Sequence, residues 1–135
     1  MSYLLDTNVC IRMINGRSAV VRQRLLSHPV EDIIVCSIVR AELFYGASKS
    51  QTPEATERKQ ALFLKPFASL SFDDMAAKTY GKIRAELEQV GMPIGPLDLQ
   101  IAAIALAHQL TLVTHNIREF SRIPQLRLED WETAP

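Results

Sequence analysis

Four oxygen-bearing side chains stand where scaffold residues are expected. Asp6 follows the apolar run Tyr3-Leu4-Leu5, Glu42 lies within the segment from Ile38 to Ala47, Asp98 follows Gly95-Pro96-Leu97, and Asn116 follows Leu112-Val113-Thr114. Taken singly, each has an ordinary structural explanation. Asp6 suits the cap of a helix opening at Thr7-Asn8. Asp98 suits the positive first turn of a helix, and Asn116 suits a turn. Glu42 points within about 40° of Ile38 and about 60° of Val39 on a helical wheel. It is therefore a partly buried ion-pair partner, a site residue or a solvated glutamate.

The elements that would position these residues alternate between strand and helix, which indicates an α/β fold. Short apolar or β-branched runs predict buried strands at Tyr3-Leu4-Leu5, Ile33-Ile34-Val35-Cys36 and Leu112-Val113-Thr114. Leu70-Ser71-Phe72 is a weaker strand, and Leu126-Arg127-Leu128 a short edge strand. The intervening segments predict helices. One runs from Asp6 to a break at Asn15-Gly16, and one from Ser18 to Leu26. Others run from an N-cap at Ser37 through Ala47, from a cap at Thr52 to about Phe63, from a cap at Asp73 to about Val90, and from Asp98 to Gln109. The expected architecture is a largely parallel central sheet of about four or five strands flanked by helices, one domain spanning residues 1–135.

In an open parallel sheet, ligands bind beyond the carboxyl ends of the strands. Asp6, Glu42, Asp98 and Asn116 all fall at that edge, so residues nearly a hundred positions apart converge there. Three carboxylates gathered at about 4 Å repel by about 4 kcal/mol per pair at an effective dielectric near 20, a large part of a domain's net stability. Either one acid is protonated or a cation sits among them. A set of carboxylate and amide oxygens suits a hard ion, Mg²⁺ or Mn²⁺, rather than Zn²⁺.

Four segments also resemble the motifs of PIN-domain ribonucleases, and more narrowly of VapC toxins of prokaryotic type II toxin–antitoxin modules. They are Leu4-Leu5-Asp6-Thr7-Asn8, Ala41-Glu42-Leu43-Phe44-Tyr45-Gly46, Pro93 to Ala103, and Val113 to Phe120; the closing Leu126 to Trp131 is similar to the family's usual ending. The resemblance implies that Asp6, Glu42 and Asp98 are catalytic acids. Asn116 falls where many members carry a fourth acid, and Glu119 could supply the missing charge. It further implies Mg²⁺- or Mn²⁺-dependent cleavage of tRNA or ribosomal RNA, initiator tRNA being a recurrent target. A homodimer blocked by a VapB-type antitoxin in a larger complex is also implied.

On that reading Asp6 and Asp98 are the main metal ligands, and Glu42 is a ligand or helps take a proton. Asn116 orients a water, and the water so activated attacks the phosphodiester. Thr7, Asn8, Ser37, Thr114 and Glu119 are candidate supporting partners. Arg118, next to Asn116, is the best-placed cation for the RNA backbone, ahead of Arg40 and Arg84.

Composition bounds the alternatives. The 135 residues carry 15 basic and 15 acidic side chains, so an RNA site must gather its positive charge locally. At 47% apolar and 22% charged, the chain is not disordered. No apolar run suits a bilayer span, and the start has no signal-peptide pattern. Cys10 and Cys36 do not make a disulfide framework and are expected to be buried free thiols in a prokaryotic cytoplasm. The three histidines lack zinc spacing. Two rival functions remain: a non-catalytic PIN-fold module that binds RNA or protein, and a phosphatase with an aspartate nucleophile. The second wants an acid two residues after Asp6, where Asn8 stands.

Overall fold

The computed structural model describes residues 1–133. Its sheet comprises β1 (Tyr3–Leu5), β2 (Ile33–Cys36), β3 (Ala68–Leu70), β4 (Thr111–Val113) and β5 (Leu128–Glu129), all parallel, in the order β3-β2-β1-β4-β5. The central strand β1 pairs Leu4 with Ile34 on one side and with Leu112 on the other. Tyr3, Leu4 and Leu5 are all buried, which is why this strand reads as a continuous apolar run rather than an alternating one. The chain leaves β1 toward β2 and β3, then returns to β4 on the opposite side. The carboxyl end of β1 is therefore a topological switch point, where a crevice opens.

Seven helices connect and cover the strands: α1 (Thr7–Ile14), α2 (Ala19–Leu26), α3 (Ser37–Lys49), α4 (Pro53–Leu64), α5 (Asp74–Gln89), α6 (Pro96–Ala107) and α7 (Ile117–Phe120). Every residue of α6 from Ile101 to Ala105 is buried. A helix enclosed on all sides has no need of an amphipathic stripe, and its Ile-Ala-Ala-Ile-Ala sequence shows none. Trp131 and Phe120 are the largest fully buried side chains. Trp131 stacks on His28 at 5.1 Å and tilts against Tyr3 at 5.5 Å, fastening the end of the described chain beneath β1.

Several expected boundaries move, for identifiable reasons. Ser37 is the first residue of α3 and makes no cap. The β2 ladder runs through Cys36, which pairs with Leu70 and itself occupies the N-cap position, so strand passes to helix without a loop. Thr52 stands at the N-cap of α4 but makes no side-chain cap bond, its hydroxyl lying 3.3 Å from that of Thr56. Helix α6 begins two residues before Asp98 because Pro96 supplies the fixed φ of a first helical position. Strand β3 lies at Ala68–Leu70 rather than 70–72; as an edge strand with Ala68 and Ser69 exposed, it carries no apolar signature. Strands β4 and β5 shift by one and two residues at their starts. The expected cap at Asp73 is present, its carboxylate accepting the Ala76 N–H at 2.8 Å. No helix among the described residues is long and apolar enough to cross a membrane.

Candidate active site

Asp6 leaves β1 at the switch point and is only 5% exposed. One carboxylate oxygen accepts the Thr7 N–H at 2.8 Å and so caps α1; the other accepts the Thr114 hydroxyl at 2.8 Å. The helix cap and the candidate site residue are thus the same side chain. Burial pushes the Asp6 carboxyl above the ordinary range. The two hydrogen bonds oppose that shift, and the charges of Glu42 and Glu119 add to it.

Each remaining acid comes from a different segment. Glu42, half-buried on α3, accepts the Thr7 hydroxyl at 2.7 Å, so Thr7 links the Asp6 cap to Glu42. Glu119 on α7 accepts the Gly95 N–H at 3.2 Å and the Asn116 side-chain amide at 3.0 Å. Asp98, half-buried in the first turn of α6, has its carboxyl pushed up to about 6. Burial is the largest cause, followed by the charges of Asp6, Glu119 and Glu42. The four carboxylates therefore share one field. None of them has a Lys, Arg or His partner among the described residues.

The spacing is open. No three of these acids bring oxygens within 4.8 Å of one another. Among the described residues, the one group of His, Cys, Asp or Glu that does so is His115, Asp130 and Glu132, of which His115 and Glu132 line the cleft beside Asp6. Within that trio Arg12 Nε lies 3.0 Å from Glu132, and His115 Nδ1 lies 3.0 Å from Asp130. The quartet fits a different pattern. Mg²⁺ takes one or two carboxylates directly and keeps several waters. An all-oxygen set without a counter-charge, loosely spaced at a strand-end crevice, suits that ion. The same donors lack the nitrogen or sulfur that Zn²⁺ favours.

The supporting residues divide. Thr7 and Thr114 hold carboxylates, and Thr114 Oγ1 also accepts the Asn116 N–H at 3.0 Å. Asn116 spends its amide on Glu119. Asn8 is exposed, and Ser37 is half-buried; neither bonds an acid through its side chain among the described residues. Arg118 pairs with none of the acids among the described residues. It lines a separate cleft with Met92, Pro93 and Arg122. Arg40 donates to Ser69 and Arg84 pairs with Glu88, so both are engaged elsewhere. Cys10 and Cys36 are buried free thiols.

Thr114 offers a stability test. It is fully buried, and Thr114→Val removes the donor to Asp6 and the acceptor for the Asn116 N–H. Losing a charge-assisted bond at a buried carboxylate costs about 2 kcal/mol. The melting temperature should fall by roughly 5–10 °C, readable by circular dichroism; an unchanged value would mean that the hydroxyl is dispensable.

The PIN domain family model matches residues 3–126. "Ribonuclease VapC2" of Rickettsia felis is 44% identical over 133 residues, covering 98% of this chain and 99% of that protein. "tRNA(fMet)-specific endonuclease VapC" of Shigella flexneri is 41% identical, covering 97% and 98%. Among solved structures, DNA-bound VapBC from Salmonella typhimurium superposes with a TM-score of 0.92 at 40% identity, covering 97% of this chain and 98% of that one. With a family match across nearly its whole length, relatives above 40% identity and the acids gathered at the switch point of its parallel sheet, the chain belongs to the PIN-domain family and, within it, to the VapC ribonucleases of toxin–antitoxin modules.

Proposed function

We propose that the chain is a divalent-metal-dependent endoribonuclease whose centre is formed by Asp6, Glu42, Asp98 and Glu119. The observation that carries this reading is the hydrogen-bond chain at the end of β1, which joins Glu42 through Thr7 to Asp6 and Asp6 through Thr114 and Asn116 to Glu119, with no protein cation paired to these acids or to Asp98 among the described residues. Glu119 stands as the fourth acid, and Asn116 is the residue that holds it. The ion favoured by this donor set is Mg²⁺ or Mn²⁺. When bound, such an ion supplies charge neutralisation, activation of water and stabilisation of the charge that develops on the phosphodiester.

The chain's own contribution is orientation. Thr7 N–H and Thr114 Oγ1 fix the two oxygens of Asp6, Thr7 Oγ1 fixes Glu42, and Gly95 N–H with the Asn116 amide fixes Glu119. Asp98 has no such donor among the described residues. Burial and the charges of Asp6, Glu119 and Glu42 raise its carboxyl, so a bound cation would favour its ionised form. With water as nucleophile, a new P–O bond forms to water, the P–O3′ bond breaks, and the departing O3′ takes a proton. The products carry 5′-phosphate and 3′-hydroxyl ends, and the 2′-hydroxyl is not required.

The substrate proposed is tRNA, initiator tRNA first, because a relative of this chain bears the name tRNA(fMet)-specific endonuclease. The structural neighbours are VapBC complexes, which supports a VapB antitoxin as partner in the bacterial cytoplasm. Exposed Phe44 and Tyr45 on α3 and Leu62 on α4 offer apolar surface for an antitoxin or a second copy in a homodimer.

The test is incubation of the purified chain with total RNA and with initiator tRNA, in Mg²⁺, Mn²⁺ or EDTA, followed by sequencing of the ends. Cutting at few sites that EDTA abolishes, with 5′-phosphate ends, supports the proposal. RNA binding without cutting would favour a non-catalytic module. Cyclic-phosphate ends would exclude water as nucleophile.

A further inference from the structure

A cleft of about 450 Å³ opens beside Asp6 and Asn116 and is framed on its other side by α1. Asn8, Ile11, Arg12 and Asn15 line it at positions i, i+3, i+4 and i+7, one stripe along α1 and its C-cap. All four are exposed, while Val9 and Cys10 turn into the core. The stripe presents two amides, a guanidinium and one aliphatic side chain to the cleft.

Arg17, His115 and Glu132 complete the rim, and a specific turn puts Arg17 there. Gly16, at φ +62°, closes α1 in a Schellman turn: the Arg17 N–H reaches the Arg12 carbonyl at 3.0 Å, and the Gly16 N–H reaches the Met13 carbonyl at 3.2 Å. The two arginines are thereby brought to one rim, but they are not equivalent. Arg12 is bound to Glu132. Arg17 makes no ion pair among the described residues. In a chain with no net charge, an unclaimed cation at the mouth of a cleft that leads to a carboxylate centre is placed for an anionic ligand.

We infer that this cleft carries the RNA strand on one side of the scissile phosphate, with Arg17 holding a backbone phosphate and Asn8 and Asn15 offering amides to sugar or base edges. The inference rests on reading the acids as a nuclease centre. The volume suits about one or two nucleotides, and Ile11, 39% exposed, offers an apolar surface for a ribose or base. An antitoxin segment is the competing occupant. The mixture of amides and a free guanidinium favours the polyanion, because phosphate recognition uses that combination.

Binding is measured by fluorescence anisotropy in the Asp98→Asn background, so that no cleavage is needed. Labelled initiator tRNA and a mixed-sequence RNA of about 15 nucleotides serve as probes. Arg17→Ala should weaken both by about tenfold and flatten the slope of log K against log salt by about 0.7–1. Arg17→Lys should retain most of the affinity, and Arg118→Ala should leave the slope unchanged. With Asp98 restored, Arg17→Ala should raise KM by about tenfold and change kcat less than about twofold. An Arg17→Glu variant that binds RNA within about twofold of its parent with the same salt slope overturns the inference. So does one that loses affinity only for the antitoxin. If the parent chain cuts no RNA yet Arg17 variants lose RNA affinity, the cleft stands and the nuclease reading falls.

Discussion

Asp98→Asn is expected to fold, to melt higher than the parent chain in EDTA, and to cut RNA slower by on the order of 10³-fold, equivalent to about 4 kcal/mol of transition-state stabilisation. The two effects have one cause. Asp98 is half-buried in a field set by Asp6, Glu119 and Glu42, and its carboxyl is raised to about 6. Near neutral pH the ionised form is therefore a source of strain in the ion-free fold. The amide has nearly the same shape, keeps the first turn of α6 and removes that charge. It also removes a donor that a divalent ion needs. A variant that lost activity because it unfolded would melt lower; this one should melt higher and still fail. The same comparison is less clean at Asp6, because its carboxylate also caps α1 through the Thr7 N–H. Asp6→Ala should cost about 1 kcal/mol through the cap alone, so Asp6→Asn is the variant that isolates the chemistry. Near-normal cleavage by Asp98→Asn in Mg²⁺ would remove Asp98 from the centre.

How far these residues could be read beforehand depends on what positions each of them. Strands β1, β2 and β4 are buried on both faces and announce themselves as apolar runs, so the switch point and the acid that follows β1 are legible from residue order alone. Glu42 is legible because it interrupts an apolar sector of α3. Asp98 could be read only as a helix-opening acid, since Pro96 rather than Asp98 begins α6. Glu119 reads in sequence as a spare charge. Its proposed place as the fourth acid rests on the Gly95 N–H reaching it across 24 residues, which no local pattern encodes. Arg118 is next to Asn116 in the chain, but the cleft it lines is the one formed with Met92, Pro93 and Arg122, a placement that adjacency in sequence does not encode. Arg17 carried no signal at all. Its place on the rim comes from Gly16 and a turn that folds the end of α1 back over Arg12, and the Asn15-Gly16 pair could be read only as a stop.

The stability of the ion-free protein should rise as the pH is lowered from about 8 to about 5, and added Mg²⁺ should reverse that order. The Asp98 carboxyl lies at about 6 in the fold against 3.8 when unperturbed, and Asp6 shifts in the same direction. A raised carboxyl binds its proton more tightly in the folded chain than in the unfolded one. Its stabilising contribution is therefore complete below the unfolded value and lost as the pH climbs through the folded one. For Asp98 the window runs from about 4 to about 6, and the interval is worth about 3 kcal/mol at full strength. Solvent around the half-buried carboxylate reduces that to roughly 1–2 kcal/mol. An ion that binds only the folded, ionised site acts oppositely. At a hundred times its dissociation constant it adds about 2.7 kcal/mol, and it loses that hold as protons take the carboxylates below about 6. Thermal melts in EDTA and in Mg²⁺ should therefore coincide at the acidic end and separate as the pH rises, with the Mg²⁺ curve lying at or above the EDTA curve throughout. In Asp98→Asn the curve in EDTA should flatten and the Mg²⁺ shift should shrink. A melting temperature in EDTA that falls steadily on acidification from about 8, together with no response to Mg²⁺ at the upper end, would mean that these four acids neither strain one another nor share an ion.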